Sequence, residues 1–202
     1  MRWTRDDVVA AAMVILDREG LDALTLRGVA REIGAHLNSV TWHVKTKQGL
    51  IDLMADSIIG SVSVEGLPSD PLERVAELIQ RYRGALLAHR DGGRLVAGTF
   101  TAEGGTLRVA EALIEGLLSA SFPPAEAARA CWALVYFTLG LTQEEQTRPS
   151  APSGAVPAAI DSGQFPAMSQ VGAHLLVSDS FDARFDYGIS RLLWPRAVAQ
   201  QG

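Results

Sequence analysis

The stretch TLRGVAREIGAHLNSVTWHV, Thr25 to Val44, holds two short helical patterns separated only by Gly34, Ala35 and His36. In the first, Leu26, Val29, Ala30 and Ile33 recur at i, i+3, i+4 and i+7, which is one face of an α-helix, and Gly34 follows as a stop. In the second, about Leu37 to Val44, the apolar Leu37, Val40 and Val44 share one side while Asn38, Ser39, Thr41 and His43 point elsewhere. So short a helix is not stable alone, so it must be held against its neighbour. A brief helix locked to another by a three- or four-residue turn containing Gly is the helix-turn-helix arrangement, whose second helix enters the major groove of DNA.

Outward from this pair the chain reads as helix in both directions. Thr4 and Asp7 have capping-box spacing, and Val8, Ala12, Ile15 and Leu16 continue an amphipathic pattern to Glu19, stopped by Gly20. A fourth helix starts near Lys47 and runs toward Ser63, before the Gly and Pro of VEGLPSDP break it. Further helical patterns fall at about 71–89, 91–97, 104–120, 124–146, 166–177 and 180–198, and no strand-like alternation persists. Pro149, Pro152, Pro157 and Pro166 predict a mobile loop between the fourth and fifth of these. The expected fold is all-α: an N-terminal three-helix module over residues 1–47, and a helical domain over 48–202 reached through the fourth helix.

Composition limits what such a chain does. With 202 residues and 48% hydrophobic content it buries one good core, or a small module and a larger one. No run approaches the roughly 20 apolar residues of a membrane helix, and MRWTRDDVV does not have the pattern of a secretory signal, so a cytoplasmic location is expected. The single cysteine, Cys131, excludes an internal disulfide and any Cys-pair zinc site. Net charge is −5, unevenly spread: residues 1–47 hold seven Lys/Arg against six Asp/Glu, and the remainder eleven against seventeen. A polyanion would meet the first segment more favourably than the rest.

LTLRGVAREIGAHLNSVTWHVKTKQGLIDLM, Leu24 to Met54, resembles the DNA-binding segment of the TetR family of bacterial repressors. HRDGGRLVAGTF (89–100) and YFTLGLTQEEQ (136–146) resemble the core of the tetracycline-repressor-like C-terminal domain, so the resemblance covers nearly the whole chain. It implies a homodimer on a palindromic double-stranded operator, probed by a small-molecule inducer, with no membrane partner. Arg27 matches a position that reaches a base edge or a phosphate, an arginine being able to pair bidentately with guanine; the alternative is a solvated surface charge. Leu37, Asn38, Ser39 and Thr41 lie on the recognition helix, whose polar groups read bases or hold phosphates. Trp42 and His43 match the family's WHV, with at least one expected against the sugar-phosphate backbone; Trp42 alternatively anchors the small module's core. Lys47 sits where a helix N-terminus favours a phosphate. Thr41 stands where many relatives carry a tyrosine, and His36 and Leu37 where they carry polar or small residues, so only the mode of DNA binding transfers.

The second half departs more. Val96 occupies the position of a histidine that helps tetracycline repressors hold a magnesium–drug complex, and Phe100 the position of an arginine. Together with Tyr82, Leu86, Leu113, Leu117, Cys131, Trp132 and Val135 they are expected to line a helical cavity poor in the oxygen ligands that hard cations require. These departures predict a largely apolar, aromatic or polycyclic inducer bound without metal or cofactor, oriented by the Tyr82 hydroxyl, the Trp132 indole and Glu144. The alternative is that the same residues are ordinary core. The helices at 124–146 and 180–198 are more apolar than one core-facing stripe needs, which predicts pairing across a two-fold axis as a four-helix bundle.

Enzyme chemistry finds little footing. His36, His43, His89 and His174 include no pair at the i, i+4 spacing of a helical metal site. Glu144 and Glu145 project about 100° apart on a helix and read as a solvated face, and Cys131 as a buried inert thiol. The Gly pairs at 92 and 104 lack the Lys-Ser/Thr of a phosphate loop. The competing reading from another class is a helical small-molecule carrier or enzyme whose N-terminal module no longer binds DNA.

Overall fold

The computed structural model describes residues 3–99, 102–147, 164–176 and 180–194. Those residues form α1 (Arg5–Glu19), a 3-10 turn (Leu21–Ala23), α2 (Leu26–Glu32), α3 (Leu37–Val44), α4 (Lys47–Gly60), α5 (Pro71–Leu87), α6 (Gly92–Val96), α7 (Gly104–Ser119) and α8 (Pro124–Thr147), then α9 (Pro166–Leu176) and α10 (Phe181–Leu193). Two compact units result, Met1–Gln146 and Thr147–Gly202. No strand occurs among the described residues, and no helix there is long and apolar enough to cross a membrane. The fold is all-helical, as expected. Most of the Pro-rich stretch lies outside the described residues.

Local chemistry accounts for the helix starts. Thr4 accepts from the Asp7 amide at 3.2 Å while Asp7 accepts from the Thr4 amide at 2.8 Å, the reciprocal capping box. Thr25 and Thr46 cap α2 and α4 through the amides of Gly28 and Gly49, each at 3.0 Å. Asp70 caps α5 through two amides, with Pro71 at its first position. Gly20, at φ +87°, ends α1 and opens the 3-10 turn, an element the sequence pattern did not predict.

In the first unit, Val8, Ala12, Ile15 and Leu16 of α1, Val29 and Ala30 of α2, and Val40 and Val44 of α3 are buried together with Leu50 and Met54 of α4. α4 packs on α1 and α3 at one end and on α5, α6 and α7 at the other, so it belongs to both layers. It stops at Gly60, short of the expected Ser63. α5 packs in turn on α6 and α7. The second unit holds α9, kinked at Gly172, and α10, which buries Phe185, Ile189 and Leu193 at i, i+4 and i+8.

Candidate nucleic-acid interface and small-molecule site

α3 is eight residues long and seated on the seven-residue α2 by the Gly34 turn, where the Ala35 amide returns to the Ala30 carbonyl at 2.8 Å. Val40 and Val44 are buried and Leu37 is half-buried, which leaves Asn38, Ser39 and Trp42 in solvent. Trp42 is 73% exposed. That exposure rules out the core-anchor reading. Its ring meets His43 edge-on, with centroids 4.8 Å apart. Thr41 is half-buried, and its hydroxyl donates to the Asn38 carbonyl of its own helix at 3.1 Å.

Charge surrounds this face on one side of the balance. From Ile33 to Ile51 the chain has no acidic residue, while Lys45 and Lys47 are exposed just past α3, and Arg27 and Arg31 are exposed on α2. Two of the nearby acids are occupied: Arg18 holds Glu32 at 2.8 Å and Glu19 at 2.8 Å. Lys45 closes α3 at φ +58°, a strained conformation for a side-chain-bearing residue that orients the α3–α4 corner. Lys45, Gln48 and Arg31 are exposed polar neighbours that the resemblance did not single out; for Lys45 and Gln48 the signal was the acid-free run itself.

Below this module, the α5–α7 interface gathers part of the expected small-molecule site. Tyr82 and Leu86 are buried on one face of α5, opposite Leu113 and Leu117, buried on α7; Val96, also buried, ends α6. Cys131 of α8 is half-buried and close enough for its charge to bear on Tyr82. Burial, and then that neighbour, push the Tyr82 phenol well above its ordinary range, and burial alone raises the Cys131 thiol, so both are neutral groups here. Among the described residues the Tyr82 hydroxyl has no hydrogen-bond partner. Val135 is half-buried, Trp132 is 44% exposed, and Glu144 is exposed. The Trp132 ring stacks on exposed Tyr136 at 5.3 Å and 22°. Phe100 lies outside the described residues.

Glu145 corrects the sequence reading. Its carboxylate stands 2.7 Å from Arg83, a guanidinium only 3% exposed, so it partners a buried cation and does not belong to a solvated face. The next residue, Gln146, accepts from the Gly93 amide at 3.0 Å and donates to the carbonyls of Leu86 and His89 at 3.2 and 2.8 Å, pinning the end of α8 to the turn between α5 and α6. That turn is tied in its own right to the DNA-side helices. Asp17 accepts from the Arg90 amide and faces His89 Nδ1 at 3.1 Å, Asp91 accepts from the Leu21 amide at 2.8 Å, and Arg94 grips Asp22 through two bonds of 2.6 and 3.0 Å. Arg94, and to a lesser degree Lys47, hold the Asp22 carboxyl below its usual range.

A short polar and aromatic helix set on a helix-turn-helix scaffold, with an apolar helical layer wired to it, defines a helix-turn-helix regulator. Residues 67–194 match the family described as tetracyclin repressor-like, C-terminal domain. The chain is 31% identical to the class E tetracycline repressor protein of Escherichia coli, over 96% of its own length and 90% of that protein's. It superposes on the Streptomyces coelicolor TetR family protein ActR, solved in complex with actinorhodin, with a TM-score of 0.87 and 26% identity, covering 98% of this chain and 99% of that one. It also superposes on BioQ, solved with its double-stranded DNA operator, with a TM-score of 0.66 and 32% identity over 72% of this chain and 89% of that one. The chain belongs to the TetR family of ligand-responsive transcriptional regulators; it is a DNA-binding repressor by family and not an enzyme.

Proposed function

We propose that the chain acts in the cytoplasm as a homodimeric repressor, whose two α3 helices read half-sites about 34–36 Å apart on a palindromic operator. The observation that carries this is Trp42, a large aromatic left in solvent on a helix otherwise faced with Asn38 and Ser39 and flanked by Lys45 and Lys47. A tryptophan so placed offers a large flat face and an indole N–H to a partner that covers it. In this reading Arg27 and Asn38 reach base edges, Leu37, Ser39 and Thr41 fit the groove, Trp42 and His43 lie on the sugar-phosphate backbone, and Lys47 meets a phosphate. BioQ, similar in fold, is solved on operator DNA, which supports the same mode here. The stacked Trp132 and Tyr136 on the outside of α8, and exposed Tyr187 on α10, are apolar faces suited to a second copy.

The inducer in this proposal is a small, largely apolar molecule bound without metal among Tyr82, Leu86, Val96, Leu113, Leu117 and Cys131, with Val135 at its edge. Neutral, largely buried and mostly hydrocarbon, this set offers a cation no anionic oxygen; the Tyr82 hydroxyl is its polar group for orienting a ligand. ActR, of the same fold, binds the organic molecule actinorhodin, which supports the class. Retention on DNA fragments selected by the purified protein tests the whole reading. Binding must weaken with salt, and Lys47→Ala must lower the slope of log affinity against log salt by about one. A chain that shows no salt-dependent retention is not a repressor.

A further inference from the structure

α7 begins without a cap of its own. Its N-cap residue, Glu103, forms no cap bond, and turns instead to Arg5 of α1 at 3.4 Å. The first amides of a helix have no partner within it, and here two of them are satisfied from a different helix. Asp56 of α4 accepts from the Thr106 amide at 2.6 Å, from the Thr106 hydroxyl at 2.8 Å and from the Gly105 amide at 3.3 Å. The carboxylate also sits at the positive end of α7, where a negative charge is favoured. α7 returns the bond: Arg108 donates to the Gly60 carbonyl at the C-terminal end of α4. Between the two caps the backbones touch, because a Cβ on Gly105 would lie 2.8 Å from the Gly60 Cα and 2.9 Å from the Asp56 carbonyl.

The two helices so joined serve different ends of the molecule. α4 carries Lys47 at its start and packs on α3; α7 carries Leu113 and Leu117 in the apolar layer, two and three turns beyond the joint. We infer that Asp56 is the positioning residue that couples the apolar layer to the DNA-reading module, so that a displacement of α7 moves α4 as a rigid lever. The inference rests on the proposed repressor function. Directional, charge-assisted bonds suit this role because they fix the register of the two helices, whereas hydrocarbon contacts alone allow sliding.

Coupling is reciprocal, so it can be read from the DNA side without an inducer. The probe is a DNA fragment selected by the purified full chain, and the readout is amide hydrogen exchange through α7, resolved at Gly105, Thr106 and Val109 to Leu113, with and without that DNA. In the wild type, DNA is expected to change exchange in α7 by about fivefold or more, the lower end of typical coupling. Asp56→Ala is expected to bind DNA with its salt dependence intact while the DNA-induced change in α7 disappears. A merely structural Asp56 would speed exchange in the free protein and leave the DNA-induced difference unaltered, which overturns the inference, as does a wild type whose α7 ignores DNA. If Asp56→Ala does not fold, Thr106→Val deletes only the hydroxyl bond and must shrink the same difference; an unshrunken difference overturns the inference. A wild type without salt-dependent DNA retention fails earlier, at the function itself, and takes the inference with it.

Discussion

Between α5 and α7 the chain sets Val75, Leu78, Ile79, Tyr82 and Leu86 against Val109, Leu113 and Leu117, all buried. Between α1 and the turn at 89–94 it sets Asp17, Asp22 and the Leu21 amide against His89, Arg90, Asp91 and Arg94, nearly all at least partly in water. The first interface draws on area: each fully buried aliphatic or aromatic side chain contributes about 1.5–3 kcal/mol, without preference for direction. The second draws on geometry: exposed ion pairs contribute little to stability, but they hold one register and are lost on small displacements. A regulator needs both kinds. The apolar interface holds the fold together without preference for direction, and the polar joint is the part whose bonds a shift of an ångström or two would break.

The largest effect should come from breaking the apolar side. Leu117, fully buried, when replaced by Ala should cost about 2–5 kcal/mol, the range for large-to-small core changes. Chemical denaturation measures this directly. At temperatures where the variant is folded, its DNA affinity should match the wild type, since no bond of the polar joint is touched. A matched stability would show that α7 does not pack as a core element.

The Arg83–Glu145 pair is intermediate, polar in kind but buried on one side. Glu145→Gln keeps the shape and removes the charge facing a guanidinium that is 3% exposed. Because the glutamate itself is about a quarter exposed, the expected cost is about 1–3 kcal/mol, below the figure for a fully buried pair. Replacing both residues by Met should recover much of that loss, as buried pairs exchanged for hydrocarbon often do. A double variant as unstable as the single one would mean that the pair's other surroundings, not the pair, set the stability.

These pairs also mark where the sequence stopped being legible. α3 runs from Leu37 to Val44 as its periodicity predicted, and Thr4 and Gly20 announced helix ends, because caps and stops act within three or four residues. Arg83 and Glu145 are 62 residues apart, and Asp56 and Thr106 are 50 apart; no local pattern records such a meeting. Glu145 therefore read as surface, and Asp56 did not read as anything. Trp42 was ambiguous for a different reason: an aromatic at that spacing suits a core or a groove equally, and only its exposure separates them. In the proposed small-molecule site the apolar positions of α5 and α7 were visible as helical stripes, whereas the outward turn of Trp132 and Glu144 depends on how α8 is rotated, which its long apolar run left open.

The smallest effect belongs to the exposed end of the polar joint, and acid exposes it. Asp22 is held below the ordinary aspartate range, first by its hydrogen bonds to Arg94, then by the charge of Arg94 and of Lys47. A carboxyl whose folded value is depressed adds stability above its unfolded value, and that contribution fades as pH falls from about 3.8 through the lower folded value. Wild type and Asp22→Asn should therefore differ slightly in melting temperature at pH 5 to 7, and the difference should close as the pH drops below 4. Because both groups are in water, added salt should close it too. DNA affinity should respond more than stability does, since Asp22 helps fix the turn that α8 and α1 share and lies within the field of Lys47. A melting difference that widens in acid would reverse the sign of the argument, and would mean that Asp22 is uncomfortable beside its neighbours.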